Sequence, residues 1–71
     1  MEAVRTDPEI MHGTPCFAGT RVPATILFDY LRAGSSVAEF LEQYPTVSRD
    51  QVDWVLASAE RQYESPRRAA G

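Results

Sequence analysis

The sequence reads as one mainly α-helical domain, three helices preceded by a short N-terminal β arm or hairpin. Apolar residues recur at helical spacing in three consecutive segments, and two of those segments open on capping boxes. Ahead of them lies a stretch punctuated by glycine and proline that has no helical period.

That stretch is "IMHGTPCFAGTRVPA", residues 10 to 24, which holds the only histidine and the only cysteine of the chain. Within it "PCFAGTRV" sets β-favouring residues around Ala18-Gly19, and the glycine can supply the positive φ of a tight turn. Two strands of so few residues do not hold together alone in water. They are expected to lean on the helices or on the matching strands of a second copy.

The first helix is expected from Pro23, whose missing N–H suits a first turn, with Ile26, Leu27, Tyr30 and Leu31 on one face and Gly34 as its stop. Ser36 and Glu39 form a capping box at the start of the second, whose apolar residues are Val37, Phe40, Leu41 and Tyr44. Pro45 ends that helix, because the residue before a proline is pushed out of the α region. The third opens with Ser48 as N-cap and Gln51 at N3, with Val47 and Val52 placed as a hydrophobic staple. Val52, Val55, Leu56, Ala59 and Tyr63 are its inner stripe, and Ser65-Pro66 is read as its close. Residues 1–64 are thus one domain and residues 65–71 a mobile tail without periodicity.

Composition narrows the function. A chain of 71 residues with 44% hydrophobic and 24% charged residues is a small globular domain for which oligomerisation is expected. Its longest uncharged apolar runs fall far short of the ~20 residues a membrane span needs. The first ten residues carry Glu2, Arg5, Asp7 and Glu9 where a secretory signal would be apolar. With one cysteine and so no intrachain disulfide, the chain reads as cytoplasmic. All seven basic residues are arginine and the net charge is −3, which is not the balance of a strongly electrostatic nucleic-acid binder.

Catalytic and cofactor chemistry finds little footing. Five residues separate Gly13 from Gly19 where a phosphate loop has four, and the chain has no lysine to follow them. His12 and Cys16 supply two ligands where a structural zinc needs four, so only a site shared across a dimer could be completed. A cysteine nucleophile would need an oriented base and an enclosing pocket. No enzyme, metal or cofactor is expected.

The connection between the second and third helices, little more than "PTV", has the length of a helix-turn-helix corner, which compact three-helix domains also use without reading DNA. If the corner reads DNA, Arg49 and Gln51 lie nearest the bases and phosphates, against the opposing charge of Asp50 and Asp53. Arg21 either anchors the arm to a carboxylate such as Asp29 or Glu42, the favoured role, or reaches a phosphate. Trp54 projects with Asp50 and Arg61, off the inner stripe, and marks either a homodimer contact or a side chain folded over the arm.

"DPEIMHGTPCFAGTRVPA", followed by "SVAEFLEQYPTVSRDQV" and "VLASAE", resembles domain of unknown function family 433 (DUF433). Its members read Pro-x-Ile-x-x-Gly-x-Pro, then Gly-Thr-Arg, then a Tyr-Pro corner. The match covers roughly residues 6 to 63 and departs at Cys16, Phe17 and Trp54. The resemblance implies a homeodomain-like helix-turn-helix fold and the role of a VapB-like antitoxin that neutralises a PIN-like ribonuclease toxin and binds its own operator DNA. The alternative is a helical homodimeric protein-interaction module that does not bind DNA. With such a toxin, Arg67 and Arg68 of the tail would be placed to occupy the cation position of a carboxylate-lined nuclease centre; otherwise they belong to a solvated end.

Overall fold

The computed structural model describes residues 2–63. Among these, two short strands, β1 (Val4–Arg5) and β2 (Cys16–Phe17), precede three helices, α1 (Thr25–Arg32), α2 (Val37–Gln43) and α3 (Arg49–Arg61). The architecture is that expected from the sequence, mainly helical with an N-terminal hairpin.

The hairpin differs from expectation in its partner strand. β2 pairs antiparallel with β1, Val4 opposite Phe17 and Arg5 opposite Cys16. The expected "GTRV" side of the turn contributes only an isolated bridge between Cys16 and Pro23, held by hydrogen bonds from the Phe17 N–H to the Val22 carbonyl at 2.9 Å and from the Ala24 N–H to the Pro15 carbonyl at 3.0 Å. The cause lies in the turn. Gly19 sits at φ +79°, and the Thr20 hydroxyl donates to the Phe17 carbonyl at 2.8 Å and accepts from the Val22 N–H at 3.0 Å. Beyond Pro23 the chain passes into α1 at Thr25, so the pairing on that side stays one bridge long. The opposite edge of β2 is left to residues 3–5, with the Ala18 N–H donating to the Ala3 carbonyl at 2.9 Å.

The helix boundaries follow local chemistry. Gly34 takes φ +91° and ends α1, while the Ser35 N–H returns to the Tyr30 carbonyl at 2.9 Å. Both capping boxes form: Ser36 with Glu39 at 3.1 and 2.7 Å, Ser48 with Gln51 at 3.1 and 2.9 Å. The staple residues Val47 and Val52 are both buried. Tyr63 departs from its expected place on the inner stripe. It lies past the end of α3 and is 78% exposed, because i→i−3 bonds at Gln62 and Tyr63 tighten the last turn and rotate it off the stripe.

The core joins all three helices to β2: Phe17, Leu27, Phe40, Val47, Val52 and Val55. Phe40 is its hub. Its ring lies 5.9 Å from Phe17, 5.5 Å from Tyr30 in an edge-to-face contact, and 5.1 Å from Tyr44. Phe17 is fully buried, so the hairpin leans on the helices of its own chain through this ring.

Candidate functional site

The start of α3 is where the hairpin is fastened. Gln51 is 9% exposed, and both ends of its amide are engaged. Oε1 accepts from the Ser48 N–H, and Nε2 donates to the carbonyls of Ala3 at 3.2 Å and Ala18 at 3.0 Å. The Gln51 amide, expected nearest the bases if the corner reads DNA, is thus bonded within its own chain. A side chain at N3 that closes a capping box is turned back toward the N-cap, and the hairpin packed there takes its remaining hydrogens.

The opposite face of α3 is open. Asp50, Trp54, Ala57 and Arg61 follow one another at steps of four, three and four residues, which places them on one stripe, and all four are exposed. Trp54 is 42% exposed at its centre, so part of the indole covers its own chain and the rest faces outward. Arg49, Asp53 and Glu60 flank the stripe and are also exposed.

Arg21 is exposed and, among the described residues, makes no ion pair, so the expected anchor to Asp29 or Glu42 is not formed. Asp29 instead faces Arg32, one helical turn on, at 4.0 Å. Arg21, two residues past Gly19, lines a cleft of about 340 Å³ together with Arg5, Asp7, Ile10, Cys16 and Phe17. Arg5 there is paired with Glu2 at 2.9 Å.

His12 and Cys16 are not brought into one site. Cys16 is buried, its Sγ donating to the Thr14 carbonyl at 3.3 Å. His12 is exposed on a turn in which it and Met11 hold positive φ, 56° and 52°. No group of three or more potential metal ligands occurs among the described residues. Arg67 and Arg68 lie outside the described residues, as does the expected boundary at residue 64.

Hydrogen bonding with Tyr44, reinforced by burial and by the Tyr44 charge, raises the Tyr30 hydroxyl above its ordinary value, and the two rings meet edge to face at 5.8 Å. Two participants escaped sequence reasoning: Ala57, whose small side chain leaves Trp54 open, and Arg5, which shares the cleft with Arg21. The four-three-four spacing could have identified Ala57; nothing local marks Arg5.

These features define a small three-helix domain whose last helix fastens an N-terminal hairpin with one end and offers an aromatic stripe on its outer face. The chain belongs to the family described as "Protein of unknown function (DUF433)", which it matches over residues 4–59. It is also similar to "Uncharacterized protein y4eO" of Sinorhizobium fredii (strain NBRC 101917 / NGR234), with 37% identity over 59 residues, 83% of this chain. The chain spans about a quarter of the length of that curated relative, 27%. No solved structure matches the chain. No helix among the described residues is long and apolar enough to cross a membrane.

Proposed function

We propose that this chain is a protein-interaction module whose contact surface is the outer stripe of α3, and that it serves as the antitoxin of a toxin–antitoxin pair. The observation that carries the contact surface is Trp54, a large aromatic left 42% exposed between Asp50, Ala57 and Arg61. Aromatic side chains on an open face, ringed by charges, supply most of the binding energy at protein interfaces. The kind of partner, a PIN-like ribonuclease toxin, comes from the family resemblance. That the relative is several times longer fits a module that works beside other domains.

A second activity, binding of the chain's own promoter DNA, draws on the exposed Arg49 and Arg21. The −3 net charge, the aspartates beside Arg49 and the consumption of Gln51 weigh against a strong reader helix, so it takes second place.

The test is titration calorimetry of the product of the neighbouring open reading frame against wild type, Trp54→Ala and Ala57→Arg, beside gel shifts on the DNA upstream of the gene. The expected result is saturable binding by wild type, lost in both variants, with no shift by the chain alone. A shift that disappears with Arg49→Ala, together with protein binding indifferent to Trp54, would reverse the order of the two readings.

A further inference from the structure

We infer that the outer stripe of α3 pairs with the same stripe of a second copy, antiparallel and in one register. This rests on the proposed contact surface and names its partner as a second copy of this chain. The stripe runs Asp50, Trp54, Ala57, Arg61, with a negative charge near the N-terminal end and a positive charge near the C-terminal end. The steps of four, three and four residues are those by which one helix keeps a seam against another.

In a two-fold contact each residue meets a counterpart whose own counterpart is itself. Setting Asp50 against Arg61 of the partner sets Trp54 against the partner's Ala57, and both pairs occur twice. The largest side chain of the stripe thus lies over the smallest, and each end of the seam joins opposite charges. On the flank, Arg49 reaches toward the partner's Glu60, which offsets the proximity of Asp53 to that carboxylate. A parallel pairing would instead set Asp50 on Asp50, Arg61 on Arg61 and indole on indole. Charge complementarity therefore selects the antiparallel arrangement. Since self-pairing covers Trp54, a second copy and any other protein partner compete for one surface.

The experiment compares sedimentation of wild type, Asp50→Arg, Asp50→Arg/Arg61→Asp and Trp54→Ala, with far-ultraviolet circular dichroism confirming that each is folded. Wild type is expected to be dimeric at micromolar concentration, with dissociation about tenfold or more easier in Asp50→Arg and Trp54→Ala. The double exchange is expected to restore the dimer, because it rebuilds both charge pairs with reversed sign. As the chain has one tryptophan, its emission is expected to shift to the red on dilution. A monomeric wild type, or a double exchange as weak as the single one, overturns the pairing. If wild type is monomeric while Trp54→Ala still abolishes binding of another protein, the self-pairing fails and the contact surface stands.

Discussion

The side-chain amide of Gln51 holds the carbonyl of Ala3, 48 residues earlier, at 3.2 Å, and the carbonyl of Ala18 at 3.0 Å. One residue thereby caps α3 and binds it to both ends of the hairpin. Gln51→Ala removes these bonds and leaves carbonyls unsatisfied, so a loss of about 2–3 kcal/mol is expected in urea denaturation. Gln51→Glu separates the two roles. The carboxylate still accepts from the Ser48 N–H but turns an oxygen toward the two carbonyls. Burial beside them raises its pKa above the unfolded value, so its ionisation destabilises the fold. The variant is expected to be most stable below the ordinary glutamate range and to weaken as pH rises through the folded-state pKa.

Phe17 is the hairpin's contribution to the core and touches Phe40 with ring centroids at 5.9 Å. Phe17→Ala is expected to cost about 3–5 kcal/mol, which approaches the whole stability of a small domain, roughly 0.05–0.15 kcal/mol per residue. Phe17→Leu is expected to cost under ~1.5 kcal/mol. Denaturation followed by Trp54 fluorescence distinguishes the two.

Ala57 is exposed on α3 and arginine is a good helix former, so Ala57→Arg is expected to leave the melting temperature nearly unchanged while it obstructs the stripe. Trp54→Ala is expected to cost roughly 1–2 kcal/mol, since part of the indole covers its own chain. Calorimetric melting beside a binding assay on both variants separates loss of contact from loss of fold.

Tyr30, with its hydroxyl pKa raised chiefly by hydrogen bonding with Tyr44, is expected to contribute to the loss of stability at alkaline pH. A pKa raised in the folded state contributes stability that is intact below the unfolded value, about 10, and is lost as pH climbs through the folded value. Melting temperature is expected to fall more steeply above about pH 10 in wild type than in Tyr44→Phe, with the two parallel below it. Equal slopes would show that the pair does not govern alkaline unfolding.

The helices and their caps were legible because capping is local chemistry: Ser36 with Glu39 and Ser48 with Gln51 each act across three residues. The strand partner was not. Val4–Arg5 carries no period of its own, and pairing on the other side of Cys16–Phe17 is cut short by the Thr20 turn and by the entry of the chain into α1. Gln51 was legible as a cap through one atom, while its other atom answers to groups remote in sequence. Arg21 offered a charge without a direction; its place on the cleft beside Arg5 and Asp7 comes from the fold. The positive φ of Met11 has no local signal, since methionine does not favour that region; that of His12 has a weak one, histidine being enriched there.

Synthesis runs from Ala3 toward Gln51, and the clamp between them gives the ribosome's order of delivery a physical consequence. β1 and β2 can pair once both have left the exit tunnel, but the clamp on them waits until α3, with Gln51 lying 48 residues behind Ala3, has emerged and wound its first turn. Closing so long a span in so short a chain makes this a late step of folding. The hairpin therefore passes through an interval in which the carbonyls of Ala3 and Ala18 are unclamped and its edge is available to chaperones and to other strands, and the arrival of one glutamine ends that interval.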